Sequence, residues 1–165
     1  MSSLPYIPRR AEQSVREALA DTRVVTVNGA RQVGKSTLVR ALLRSYPAST
    51  ERSLDVATER NAARSDPTRF VRHDGLLAID EMQRVPDLVL AIKAEVDEDP
   101  RPGRFLLTGS ARLLGLRNLP DALVGRMETI ELWPFSQGEI DRRDETFIDR
   151  VFGDEWSVGL SLIHI

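Results

Sequence analysis

Two short runs in this 165-residue chain have the residue types and spacing for chemistry. The first is Gly29-Ala30-Arg31-Gln32-Val33-Gly34-Lys35-Ser36-Thr37, a G-x-x-x-x-G-K-S pattern. It stands between the β-branched run Val24-Val25-Thr26-Val27 and a stretch with helical apolar spacing. That order asks a buried strand to end, a loop to fold round an anion, and a helix to begin with its free N–H groups aimed at it. Gly29 and Gly34 permit turns that a Cβ would hinder and let the backbone approach phosphate oxygens closely. The N–H groups of the loop make an anion nest, so the whole run from Gly29 to Thr37 is the candidate phosphate cradle. Lys35 would reach β- and γ-phosphates, and the Ser36 hydroxyl would ligate Mg²⁺. The competing reading, a glycine turn opening an ordinary helix, fails to explain why strand, loop, Lys-Ser pair and helix agree. Of 23 basic residues only Lys35 and Lys93 are lysines, so an arginine-biased chain keeps a compact ammonium where the loop needs one.

The second run is Leu76-Leu77-Ala78-Ile79-Asp80-Glu81. Four apolar residues ending in two acids suit a central strand buried on both faces, with the acids at its C-terminal edge. Ligands of open α/β sheets bind at that edge. There Asp80 is expected to hold Mg²⁺, directly or from behind its other ligands. Glu81 is expected to orient and deprotonate the water that attacks a γ-phosphate. An acidic strand end is an equal reading of these residues alone, but not after a phosphate loop. A further apolar run, Phe105-Leu106-Leu107, ends in Thr108-Gly109-Ser110. Thr108 or Ser110 could hydrogen-bond the attacking water or the γ-phosphate; Ser110 could equally cap the next helix.

The elements that must position these residues follow from periodicity. Helices are expected over residues 11–20, 35–46, 85–97 and 113–124, with two short pieces over 58–70 broken at Asp66-Pro67. Strands are expected over residues 23–28, 52–55, 76–81, 105–110 and 127–132. Ser136-Gln137-Gly138-Glu139 has the capping-box pattern of a new helix. Tyr6-Ile7-Pro8-Arg9 reads as an extended lead-in, lying beside a nucleotide base or, as an ordinary tail, on the surface.

Composition excludes several classes. A formal charge of −2 gives no support to a chain built as a polyanion binder, though a local basic patch is compatible with it. With no cysteine there is no disulfide and no Cys-ligated zinc, which suits a reducing compartment. Residues 1–10 lack the apolar core of a signal peptide, and no stretch is apolar enough to span a membrane. A cytoplasmic location is expected.

The cradle motif, Ile79-Asp80-Glu81-Met82-Gln83, Phe105 through Ala111, and Leu123-Val124-Gly125-Arg126 together resemble the prokaryotic AAA+ ATPases whose full-length members carry a C-terminal domain of unknown function. Trp133-Pro134-Phe135-Ser136 resembles that family's Pro-Leu-Ser-Phe region, so the likeness runs over residues 6–139. The resemblance implies an α/β three-layer P-loop NTPase sandwich with parallel strand order 5-1-4-3-2, followed by the start of a helical lid. It implies ATP and Mg²⁺. By position, Thr108 or Ser110 resembles the sensor on the fourth strand. Arg126 resembles the arginine finger that one subunit donates to its neighbour, which implies a homo-oligomer; a surface turn arginine is the plainer alternative. Gln83 resembles a polar residue the family keeps near the site.

The expected division is a core with its lead-in over residues 1–132, a lid beginning over 133–159, and a non-native tail over 160–165. Those last six residues resemble the translation of a sequencing adaptor, so the chain reads as truncated. The leading function is Mg²⁺-dependent ATP hydrolysis by the core, coupled to work the residues do not name. The alternative is an ATP-binding switch or partner-binding module with little turnover. A GTPase is unsupported, because none of Asn28, Asn61 and Asn118 lies in an Asn-Lys-x-Asp guanine-reading motif.

Overall fold

A computed structural model describes residues 6–110 and 122–143. Five parallel strands form one sheet in the order β2-β3-β4-β1-β5, the expected order read from the other edge. They are β1 (Val24–Asn28), β2 (Thr50–Ser53), β3 (Leu77–Asp80), β4 (Phe105–Gly109) and β5 (Met127–Glu131). The helices are α1 (Ala11–Asp21), α2 (Lys35–Leu43), α3 (Ala57–Ser65), α4 (Pro67–Val71), α5 (Leu88–Glu98) and α6 (Gln137–Asp141).

Side-chain alternation along the strands divides the core into two layers. Val24, Leu77, Ile79, Phe105 and Leu107 face one way, against Leu88, Ile92 and Val96 of α5 and Phe70 and Val71 of α4. Val25, Val27, Ala78 and Leu106 face the other way, against Val15 and Leu19 of α1 and Leu38 and Leu42 of α2. β1, β3 and β4 are buried along their whole length, as strands covered on both faces must be. Edge strand β2 is only part-buried.

Several bounds differ from the expected ones for local reasons. β3 stops at Asp80, because Glu81 turns into the left-handed region (φ 60°, ψ 44°) and opens a 3₁₀ turn over Met82–Arg84. That turn delays α5 to Leu88. β2 begins and ends two residues earlier than expected, where Thr50 and Ser53 find register with Leu77 and Asp80. The Asp66-Pro67 break is real: Asp66 accepts a hydrogen bond from the Arg69 N–H at 2.9 Å and starts α4 as its N-cap.

The described residues divide into one compact unit within Pro8–Pro134 and a second that includes residues 135–143. Within the second, α6 carries the expected capping box. The Glu139 N–H donates to Ser136 Oγ (3.2 Å) and the Ser136 N–H to Glu139 Oε2 (3.0 Å). Most of the expected helix over 113–124, the rest of the lid region to 159 and the tail over 160–165 lie outside the described residues. Among the described residues no helix is long and apolar enough to cross a membrane.

Candidate active site at the phosphate loop

β1 ends at Asn28, and the chain folds through Gly29–Gly34 before α2 begins at Lys35. The loop turns at two left-handed residues, Gln32 (φ 64°) and Gly34 (φ 99°); the latter is the N-cap of α2. Gly29 is required for a different reason. A Cβ there would stand 2.4 Å from the Leu132 carbonyl oxygen, so the loop can pass the end of β5 only without a side chain. Lys35 is only 6% exposed, and its ammonium donates to the carbonyls of Gly29 (3.0 Å) and Ala30 (2.8 Å), clasping the loop across its own mouth.

Sheet geometry explains how the loop meets the acids. Asp80 and Thr108 sit on the face of the sheet that α2 covers, since Ala78 and Leu106, two residues earlier on each strand, belong to that core layer. Ser36, in the first turn of α2, therefore points at Asp80 and donates to its carboxylate, with Oγ 3.1 and 3.0 Å from the two oxygens. Thr108 donates its hydroxyl to Asp80 Oδ1 and accepts the Glu81 N–H at 3.2 Å. Thr108 thus spends its one O–H on the buried carboxylate and holds Asp80 and the Glu81 backbone in place. Ser110, one residue past β4, lines the cavity instead.

That cavity measures about 790 Å³, in the range of small-ligand sites. Its walls include Arg31, Gln32, Gly34, Lys35, Ser36 and Thr37 from the cradle, and Glu81, Gln83 and Ser110 from the facing strand ends. The Glu81 carboxylate accepts a hydrogen bond from Gln83 Nε2 at 2.5 Å. Asp55 and Arg84 complete the rim as an ion pair at 2.5 Å. Among the described residues no group of three or more His, Cys, Asp or Glu forms an all-protein metal cage. The oxygens a cation would meet beside the cradle are the Ser36 hydroxyl and the Asp80 carboxylate. That set fits Mg²⁺, which takes one or two protein oxygens and completes its shell with water and substrate phosphate.

Sequence patterns did not reveal three of these features. Arg9 is buried, with Nη1 on the Val33 carbonyl (3.0 Å) and Nη2 on the Trp133 carbonyl (2.5 Å). Neither lead-in reading, base contact or surface tail, describes a buried cation braced against the phosphate loop. The resemblance puts Gln83 near the site without giving its contact, and the Asp55–Arg84 pair carries no motif of its own.

Arg126 is not brought to this cavity. Its carbonyl accepts the Val24 N–H at 3.1 Å, which puts it at the N-terminal edge of the sheet, while the cradle follows the C-terminal end of β1. Its Nε donates to Asp97 Oδ1 at 2.5 Å and its Nη1 to the Val124 carbonyl at 3.1 Å. Hydrogen bonds from Lys93 and Arg126 hold the exposed Asp97 carboxyl below the usual carboxylate range.

A parallel sheet in this order, with a glycine-rich loop clasped by its own lysine and a serine–aspartate contact beneath it, defines a P-loop nucleotide-handling core. A family model described as "AAA domain" matches residues 21–141. Uncharacterised proteins of Mycobacterium bovis and Mycobacterium tuberculosis are each 40% identical over 128 residues, 75% of this chain and 28% of theirs. AMPPCP-bound DnaA from Aquifex aeolicus matches with a TM-score of 0.55 at 18% identity, over 79% of this chain and 47% of that one. A Pif1 helicase from Bacteroides matches with a TM-score of 0.53 at 18% identity, over 87% and 45%. At that identity the solved structures speak for the fold alone. The family match covers well over half of the chain, which therefore belongs to the AAA domain family. It spans 28% of the length of the curated relatives it matches.

Proposed function

We propose that this core binds ATP with Mg²⁺ at the cradle from Gly29 to Thr37 and hydrolyses it with Glu81 as the general base. The observation that carries the reading is that Lys35, Ser36 and Glu81 line one cavity from two separate stretches of chain, with Ser36 bonded to the Asp80 carboxylate. The loop N–H groups and the α2 N-terminus receive the phosphates, and the Lys35 ammonium exchanges carbonyl partners for phosphate oxygens. Ser36 and Asp80 would hold Mg²⁺, which neutralises charge on the phosphate oxygens. Glu81 takes the proton of the attacking water, and Ser110 orients that water or the γ-phosphate from the facing strand end. Thr108 keeps Asp80 and Glu81 aligned.

Arg126 faces away from its own cradle, so its role as a charge-stabilising finger belongs to a neighbouring copy, and the active form is a homo-oligomer. A chain without cysteine fits the reducing, ATP-rich cytoplasm. The formal charge of −2 neither supports nor excludes nucleic acid as a partner.

One observation favours a second reading. Gln83 engages the Glu81 carboxylate, and a base held this way suits a nucleotide-binding switch with low turnover. Two measurements on the same samples separate the readings: Mg²⁺·ATP affinity and the rate of phosphate release. Hydrolysis predicts that Glu81→Gln keeps affinity and loses about 10²- to 10⁴-fold in rate. Tight binding with negligible release in both proteins supports the switch.

A further inference from the structure

Arg9 carries a permanent charge, is 6% exposed, and lies outside the cradle itself. Its two terminal nitrogens donate to main-chain carbonyls 24 and 124 residues away, at Val33 in the phosphate loop and at Trp133 just past β5. Nη1 also lies 3.6 Å from where a Cβ on Gly34 would stand, so the guanidinium packs against the back of the loop. The front of the loop is tied to the same stretch. The Leu132 N–H donates to the Asn28 carbonyl at 2.7 Å, and the Leu132 carbonyl occupies the space a Gly29 side chain would need. The chain leaving β5 is therefore fastened to both ends of the phosphate loop, and Arg9 is the fastener at one of them.

We propose that Arg9 is a positioning residue that couples the phosphate loop to the chain leaving β5, so that nucleotide on the loop is felt at Trp133. This rests on the ATP-binding reading above. A guanidinium suits the role because its planar fork presents several N–H groups in fixed directions and can bridge two carbonyls at once. Held from behind, the loop has less freedom to lose when an anion binds, which tightens binding. The reverse must also hold: phosphate that orders the loop firms the Val33 and Trp133 contacts, because coupling between two sites is reciprocal.

The test uses the full chain with Trp156→Phe, which leaves Trp133 as the sole tryptophan. Trp133 is 67% exposed and reports on its own backbone segment. Mg²⁺·ATP affinity is measured by competition with a fluorescent analogue, and Trp133 emission is recorded at saturating ATP. We expect ATP to change the emission in the parent, and Arg9→Ala to bind about tenfold more weakly and lose the change even when saturated. Arg9→Lys keeps the charge but reaches one carbonyl at a time; it should fold and still lose the emission change. Hydrogen exchange on the parent needs no Arg9 variant and should show ATP protecting residues 132–133 together with 33–36. Parent-like affinity and emission in Arg9→Lys, or protection confined to the loop, overturns the proposal while leaving ATP binding intact. A parent that binds no ATP overturns the reading beneath it as well, and the competition assay shows which has failed.

Discussion

Glu81 leaves the sheet in a left-handed conformation that costs a non-glycine residue about 1–3 kcal/mol. The Glu81 N–H bond to Thr108 and the side-chain bond to Gln83 hold it there, so the strained residue is the one with a carboxylate turned to the cavity. Lys35, Ser36 and Asp80 could be read from the chain because each belongs to a local pattern whose letters imply its place. Arg9 could not, and Gln83 could be placed near the site by family resemblance but without its contact to Glu81. Arg9 meets Trp133 across 124 residues, and no nearby periodicity records such a contact. The Gln83 contact depends on the left-handed turn at Glu81, since an extended strand would put the two side chains on one face but roughly 6.6 Å apart. Gly29 was legible as a glycine but for an incomplete reason: packing against Leu132, as well as closeness to phosphate, forbids a side chain. Gly29→Ala should therefore destabilise the fold with no ligand present, by about 1–3 kcal/mol. Denaturant unfolding of the ligand-free protein checks this; an unchanged midpoint would show that the loop and β5 separate at little cost.

Among the elements, central strands and the loop-bearing helix were the most legible. β1, β3 and β4 are mostly apolar runs because both faces are covered, and such runs identify themselves. Edge strand β2, Thr50-Glu51-Arg52-Ser53, carries little apolar signal and owes its position to register with β3, so its bounds were displaced. A start of α5 at residue 85 is three residues early, because Val85 and Leu88 keep helical spacing and burial across a turn closed by the Leu88 N–H on the Val85 carbonyl (3.2 Å), before the backbone becomes α-helical. The pairing of Ser36 with Asp80 follows from alternation alone once strand order is known. α2 covers the face on which Ala78 and Leu106 lie, and even-numbered neighbours along β3 and β4 point the same way. The strand order itself came from family likeness, since local spacing does not say which buried strands are neighbours.

At the scale of the whole molecule, cradle and Arg126 lie at opposite edges of one sheet, and Arg126 is occupied by Asp97. A single copy therefore does not bring Arg126 to its own cradle. If copies assemble so that Arg126 reaches a neighbour, hydrolysis should rise with protein concentration and Arg126→Ala should abolish that rise while sparing ATP binding. Mixing Arg126→Ala with Glu81→Gln should restore part of the activity, since a mixed interface can pair an intact base with an intact arginine. Activity that is independent of concentration and indifferent to Arg126→Ala would leave Arg126 as a partner of Asp97 and nothing more.

The most direct test of the site is the equilibrium affinity for Mg²⁺·ATP of the native chain and of Lys35→Ala. Lys35 is nearly buried, sits at the mouth of the loop and supplies the compact cation that the phosphates would meet. Removing that charge-assisted contact should cost about 1.5–3 kcal/mol, or roughly ten- to a hundredfold in affinity. Circular dichroism should show that the variant is still folded. Equal affinity in the two proteins, or no binding by either, would contradict the assignment of this cavity as the ATP site.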